Sequence, residues 1–177
     1  MEQPSPRAIS FLSYLVCMAE ALPKTVVDSE DVARIIFSPS YIYKGRVSPT
    51  DFRWEVLTSG QAEDYISVLR GEVSKLDSQT KTFRARTEGD YRYGYALLRA
   101  GKIRGICFDG IDCSIDVLPF PSKAHPNHAG IVAEIDNELV TALTPVSPEV
   151  MMIQKELATL CSAIVSFESR IPSGATV

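Results

Sequence analysis

Hydrophobic residues recur at three- and four-residue spacing near both ends of the chain, which is the spacing of one face of an α-helix. Ser5 and Pro6 are a helix-start signal, because serine caps a helix and proline fits its first position. The apolar positions that follow are Ile9, Leu12, Leu15, Val16, Ala19 and Leu22. Ser147 and Pro148 repeat the signal. The apolar positions there are Val150, Ile153, Leu157, Leu160, Ile164 and Phe167. The pattern predicts a long amphipathic helix at each end.

Between these helices, short apolar runs bounded by Gly, Pro or Asp indicate strands. The predicted strands lie at 33–37, 83–87, 94–99, 103–108, 111–118 and 130–135. The spacing of Ala62, Ile66 and Leu69 predicts a further helix over 59–69. Strands and helices are segregated along the chain instead of alternating. This favours an α+β fold with one mixed or antiparallel sheet and helices packed on it.

The composition is that of an ordinary globular protein. A length of 177 residues, 45% of them hydrophobic, predicts a single domain over 1–177 with frayed ends at 1–4 and 171–177. The net charge of −4 argues against a protein that binds duplex nucleic acid mainly by charge. No signal sequence is evident at the start, and no stretch reaches the roughly 20 apolar residues of a membrane span. We therefore expect a cytoplasmic protein with no membrane segment and four reduced cysteines.

The only two histidines, His125 and His128, lie in one proline-containing loop. Histidine titrates near neutral pH, so both are candidate catalytic residues. Cys107 and Cys113 lie upstream and would complete a weak zinc candidate, although the intervals of five, eleven and two residues do not match the usual zinc patterns. The alternative is structural, with His128 bonded to backbone groups at the start of a strand and His125 capping the loop.

A basic segment over 81–104 interleaves arginines and lysines with tyrosines. Arginine binds phosphate and aromatic rings stack on bases, so the segment could bind a nucleotide or single-stranded nucleic acid. Two earlier arginines, on the first strand and beside a glycine turn, loosely resemble the NAD-cradling strands of ADP-ribosyltransferases. The candidate ligand-binding residues are Arg34, Arg46, Arg84, Arg86, Arg92, Tyr93 and Arg99. The alternative is that neighbouring strands pair these charges with acidic residues of 105–140 across a solvated face.

Four short motifs resemble those of a group of small bacterial proteins. In this chain they lie at 34–42 (RIIFSPSYI), 45–53 (GRVSPTDFR), 95–104 (YALLRAGKIR) and 124–131 (AHPNHAGI). The group typically has a strand, a hydrophobic-Pro-Ser-Tyr-Ile segment, a Gly-Arg-Val segment and an Asn-Pro-x-His-Ala loop that runs into a strand. It has no established activity, so no functional residue carries over. The predicted terminal helices depart from the compact form of the group and are candidate partner-binding additions.

No glycine-rich phosphate loop, nucleophile elbow or catalytic triad signature is present in the sequence. This favours a small binding or accessory protein that acts through protein–protein contacts, for example within a bacterial conflict cassette of the toxin–antitoxin or phage-related kind. The expected partner is another protein, with a homodimer as a further candidate and no cofactor. The alternative is a protein that binds a nucleotide or nucleic-acid end, or a ribosyl- or phosphoryl-transfer enzyme, using the basic segment and the histidine loop.

Overall fold

The computed structural model describes residues 24–57, 59–71, 94–123 and 125–166. At its centre is an antiparallel sheet of seven strands. These strands are β1 (Asp31–Ile36), β4 (Ile66–Arg70), β5 (Gly94–Arg99), β6 (Cys113–Pro119), β7 (His128–Ile135), β8 (Glu138–Leu139) and β9 (Ala163–Ser166).

A separate hairpin lies between β1 and β4 in the chain. It pairs β2 (Ile42–Tyr43) with β3 (Arg46–Val47) and is flanked by two 3₁₀ turns, Pro39–Tyr41 and Pro49–Asp51. In the main sheet the strands follow the order β6-β7-β4-β1-β5-β9, and β8 pairs with β7. All of these pairs are antiparallel. Within the described part of the chain, β6 and β9 are therefore the two ends of the strand order.

Two α-helices are described. α1 (Ala100–Arg104) follows β5 directly, and α2 (Pro148–Leu160) precedes β9. Ser147 caps α2, because its Oγ accepts a hydrogen bond from the Val150 N–H at 3.3 Å. No helix in this part of the chain is long and apolar enough to cross a membrane.

The sheet buries apolar side chains on both of its faces. One face packs against α2, where Ile153, Leu157 and Phe52 are completely buried. The other face carries a second buried cluster, formed by Ala33, Ile35, Leu69, Tyr95 and Leu97. Central strands that are buried on both sides lack a polar face, which explains why they read as nearly continuous apolar runs in the sequence.

The predicted α+β class and the sheet are confirmed. β1, β5, β6 and β7 correspond to four predicted strands, with ends shifted by up to two residues from 33–37, 94–99, 111–118 and 130–135. The sheet is antiparallel throughout the described pairs. The amino-terminal helix predicted from Pro6 to Leu22 and the strand predicted over 83–87 lie outside the described residues.

The carboxyl-terminal helix is shorter than predicted. It ends at Leu160, whereas the apolar spacing predicted a continuation to Phe167. The chain leaves the helix because residues 163–166 pair with β5 as the strand β9. The Ser162 N–H already bonds to the Leu97 carbonyl at 2.8 Å.

Two predictions for the middle of the chain are also wrong. The helix predicted over 59–69 is absent, because Ile66–Arg70 pairs with both β1 and β7 as the strand β4. The strand predicted over 103–108 is also wrong at its start, because residues 103 and 104 belong to α1. Ala100 and Ile103, three residues apart, are both completely buried, which is the spacing of a helix face.

Candidate functional site

Arg34, a predicted ligand-binding residue, is a buried cation on β1 that is only 6% exposed. Its Nε and Nη2 donate to the Asp51 carbonyl oxygen at 3.1 and 2.7 Å, and its Nη1 donates to the Ser67 carbonyl at 3.0 Å. The Asp51 carboxylate lies 3.4 Å from Nε. All three guanidinium nitrogens are engaged in joining the Pro49–Asp51 turn and β4 to β1. This arrangement supports a structural role for Arg34.

The Cys161 thiol is a further titratable group that interacts with this ion pair, through Asp51. Burial raises the pKa of the Asp51 carboxyl, and the Arg34 charge opposes that shift without cancelling it. Burial also raises the pKa of the Cys161 thiol to about 12, and the Asp51 charge adds to the shift. A thiol with this pKa is protonated at neutral pH, whereas the thiolate is the nucleophilic form. Cys161 is therefore a poor nucleophile in the fold.

Arg46, another predicted ligand-binding residue, is presented by the β2–β3 hairpin. Lys44 and Gly45 form its two-residue turn with φ values of 50° and 74°. Tyr43 pairs with Arg46 across the hairpin and is 68% exposed. The tight turn fixes where the Arg46 side chain leaves the backbone, beside an open cavity.

This cavity, which we name the hairpin cavity, has a volume of about 660 Å³. Sites for small ligands span roughly 300–1,000 Å³. Its walls come from the hairpin, from the last turns of α2 and from residues 161–164. Arg46 and Lys155 bring two positive charges to it, and the described residues that line it include no acidic side chain. Neither cation forms an ion pair with a residue that the structure describes.

The hydroxyl groups of the hairpin cavity already have partners. Ser162 Oγ donates to the Leu97 carbonyl at 3.2 Å, and Thr159 Oγ1 donates to the Lys155 carbonyl at 2.9 Å. None of the described residues that line the cavity is a histidine or carboxylate that would remove a proton from either hydroxyl. The two cations of the described lining suit the cavity to binding an anion.

A second cavity, of about 380 Å³, lies beside the Pro49–Asp51 turn. Each charged side chain among its described lining residues has an ion-pair partner. Arg53 donates to the Tyr41 hydroxyl and to the Glu55 carboxylate, both at 3.4 Å. Asp51, which also lines this cavity, is held by Arg34. Because these charges already have partners, this cavity offers less to a charged ligand than the hairpin cavity does.

His128 lies at the start of β7 with both ring nitrogens in hydrogen bonds. Nε2 is 2.7 Å from Ser67 Oγ, and Nδ1 is 3.2 Å from the Phe120 carbonyl oxygen. A carbonyl only accepts, so Nδ1 carries a proton and donates to the Phe120 carbonyl. The His125 carbonyl accepts the His128 N–H at 3.1 Å. These contacts fit the structural interpretation of the loop, while a catalytic role stays a prediction.

An aromatic pair lies over the neighbouring strand. The rings of Tyr65 and Phe120 stack with their centroids 4.6 Å apart. A Cβ atom at Gly130 would lie 2.7 Å from the Tyr65 ring, so only glycine lets the ring rest on the backbone of β7. The Tyr65 ring also meets the edge of His128 at 5.5 Å between centroids. The histidine loop is thus anchored by packing as well as by hydrogen bonds.

The four residues of the zinc candidate are not brought together. Cys113, at the start of β6, lies opposite Ile135, whereas His128 starts β7 beyond the other end of β6. A seven-residue strand spans roughly 20 Å, too far for ligands of one ion. Cys107 and Cys113 are free thiols, and His125 lies on the loop with His128. The described part of the chain holds no group of three or more His, Cys, Asp or Glu residues that could bind a metal.

Most of the basic segment lies outside the described residues. This applies to the candidates Arg84, Arg86, Arg92 and Tyr93. Arg99 is described, and its Nε lies 2.8 Å from Asp31 Oδ1, while its Nη1 donates to the Ser29 carbonyl. Asp31 and Arg99 are register partners in the sheet, so this arginine pairs its charge across neighbouring strands.

Comparisons with protein-family models, with curated proteins and with solved structures found no match to this chain. The likeness of its four motifs to a group of bacterial proteins therefore stays a prediction. The function has to be inferred from the residues of the chain itself.

Proposed function

We propose that the protein is a binding protein that recognises an anionic group in the hairpin cavity. The observation that carries the proposal is the pair of cations, Arg46 and Lys155, which line one open cavity without an ion-pair partner among the described residues. Each charge-assisted hydrogen bond to such a site contributes about 1.5–3 kcal/mol. The anionic group would be a carboxylate or phosphate carried by a partner protein or by a nucleotide.

A binding role fits the cavity better than a catalytic role. Among the described lining residues the one thiol is that of Cys161, whose pKa is raised to about 12, so little of it is in the nucleophilic form at neutral pH. The Ser162 hydroxyl donates to a backbone carbonyl, and none of the described lining residues is a base that could activate it. We therefore favour an accessory protein that holds an anionic group and does not transform it.

The test is a calorimetric titration with pyrophosphate, a small anion that both cations could contact. At low salt we expect saturable binding that weakens as salt is added, because exposed charges are screened within roughly 10 Å at 0.1 M salt. Arg46→Gln and Lys155→Gln should each lower the affinity by roughly 10-fold or more. Lys102→Gln is the matched control, since Lys102 is exposed on α1 and does not line the cavity. Equal binding by all three variants would rule out the hairpin cavity as the anion site.

A second candidate function, direct contact with another protein, is favoured by an exposed apolar segment. Leu143 and Val146 are each 74% exposed, and Met151 in the first turns of α2 is 57% exposed. Apolar groups clustered at a surface commonly mark a protein contact. Replacing Leu143 and Val146 by lysine should abolish the stoichiometric co-purification of a partner that the unchanged protein retains. Retention by both forms would argue against this surface.

We further propose that the protein resides in the cytoplasm, as the sequence predicts. The cysteines Cys107, Cys113 and Cys161 are free thiols, which fits a reducing compartment. A role in a bacterial conflict cassette stays a prediction, and the genes beside this one would test it.

A further inference from the structure

We infer that the hairpin cavity takes an extended peptide that ends in a free carboxylate and that adds as a strand beside β9. This inference rests on the proposed anion-binding function and names the kind of partner that would carry the anion. It is drawn from the strand edges at the cavity, from the composition of its lining and from its charge.

The cavity is bordered by strands that pair on one side only in the part of the chain that the structure describes. Within the described residues, β9 pairs with β5 alone and β3 pairs with β2 alone. In an antiparallel strand, peptide groups alternate between the two sides, so an edge strand leaves every second N–H and C=O without a strand partner. Four consecutive residues, 161–164, line the cavity, which places the start of this edge in its wall. An extended peptide would satisfy these groups by adding a strand.

The charges of the cavity fit the end of such a peptide. Arg46 comes from β3 and Lys155 from α2, so the two cations approach from different elements. A terminal carboxylate can accept from both, since its two oxygens offer several lone pairs. None of the described lining residues is acidic, so none of them repels the anion.

The lining favours a peptide over a nucleotide. Sites that hold a base usually provide an aromatic side chain for stacking. In the described part of the chain, the residues that line the cavity include no aromatic side chain, and Tyr43 lies outside the lining. The apolar part of the wall is formed instead by described residues of four elements or segments, namely Val47, Pro49, Ala158, Ala163 and Ile164. Such walls accept the side chains and backbone of an extended segment.

The test uses the full chain and a pool of fluorescein-labelled random hexapeptides with free carboxyl ends, beside the same pool with amidated ends. Fluorescence polarisation should report binding of the free-acid pool, with amidation weakening it by roughly 10- to 100-fold, as expected for loss of a charge-assisted contact. Arg46→Gln and Lys155→Gln should weaken it similarly, and Lys102→Gln should not. N-methylation of alternate amides in the best peptide should abolish binding, because it removes donors to the strand edge. Hydrogen exchange at residues 161–165 should slow when the peptide binds.

The outcomes separate the inference from the function on which it rests. Binding of pyrophosphate without binding of the free-acid peptides would overturn the inference and leave the anion site standing. Failure of both probes would overturn both. Equal binding of acid and amide pools would overturn the role of the carboxylate. Full binding of the N-methylated peptide, or unchanged exchange at residues 161–165, would overturn the added strand.

Discussion

Replacing Arg34 by methionine would remove the cation that joins three elements in the core while keeping a long apolar stem. The Asp51 carboxylate and the carbonyls of Asp51 and Ser67 would lose their donor, and Asp51 is only 3% exposed. Breaking a buried ion pair by removing one partner costs about 3–5 kcal/mol. For a chain of 177 residues, each kcal/mol moves the melting temperature by about 2–4 °C, so it should fall by roughly 6–20 °C.

The stability lost in Arg34→Met should depend on pH, because Asp51 carries the charge that Arg34 faces. Burial raises the pKa of Asp51 in the folded state. Its contribution to stability is therefore fully present below the ordinary pKa of an aspartate, and it is lost as pH rises through the raised folded-state pKa. Arg34 lowers this pKa, so in Arg34→Met the pKa rises further and the ionised carboxylate becomes more costly at neutral pH. The destabilisation should be larger at neutral pH than at mildly acidic pH.

Urea unfolding followed by the fluorescence of Trp54, the one tryptophan of the chain, gives the free energy of unfolding at both pH values. Trp54 is 8% exposed, so its emission should shift on unfolding. Arg53→Met is the control, because the Arg53 side chain is 54% exposed and its contact with Glu55 is worth about 1 kcal/mol at most. A stability of Arg34→Met within about 1 kcal/mol of the unchanged protein, or the same loss at both pH values, would refute the reasoning.

Three further changes have expected outcomes. Gly130→Ala should lower stability by about 1–3 kcal/mol in thermal melts, because its Cβ would lie 2.7 Å from the Tyr65 ring. His128→Ala should cost about 1–3 kcal/mol in the same assay, since it leaves hydrogen-bond partners unmatched. In the native protein a thiol reagent should modify exposed Cys107 quickly. It should modify Cys161 much more slowly, because this thiol is partly buried and its pKa is about 12.

A control variant or a contradicting outcome checks each of these three predictions. Gly105→Ala should melt close to the unchanged protein, because its Cβ would meet nothing nearer than 3.4 Å. His125→Ala should leave the melting temperature nearly unchanged, as the structural interpretation of the loop predicts. A Gly130→Ala protein that melts normally would mean that the Tyr65 ring can move aside. Rapid labelling of Cys161 in the native state would contradict its burial.

The strand β4 illustrates where hydrophobic spacing misleads. Ala62, Ile66 and Leu69 are three and four residues apart, as on a helix face. In the fold, Ile66 belongs to the cluster on one face of the sheet and Leu69 to the cluster on the other. Because both faces are buried, the sequence carries no two-residue alternation that would have revealed the strand.

The end of α2 depends on contacts that are distant in sequence. No glycine or proline separates Leu160 from β9, and Ile164 continues the helical spacing. The helix ends because the Ser162 N–H and the strand that follows bond to β5, more than 60 residues earlier in the chain. The local spacing of hydrophobic residues therefore does not indicate the pairing of β9 with β5.

The candidate site was predictable only in part. Arg46 stood out because it follows a glycine turn, and the hairpin indeed presents it to a cavity. Lys155 was missed, since it is one of several polar positions on α2 and only the fold brings it near Arg46. Arg34 stood out as a charge within an apolar strand, a pattern shared by ligand sites and by buried ion pairs. Its partner Asp51 lies 17 residues later, in the Pro49–Asp51 turn, and only the fold brings the two together.

The buried ion pair Arg34–Asp51 and the two cations of the hairpin cavity are linked through the turn that contains Asp51. The turn begins at Pro49, which lines the hairpin cavity, and ends at the carbonyl that accepts two hydrogen bonds from Arg34. The same turn follows β3 by one residue, and α2 packs against both of them. The buried ion pair therefore helps to fix the distance between the hairpin and the helix, and so the spacing of the two cations. A charge in the core that contacts no ligand can in this way determine how well the surface binds one.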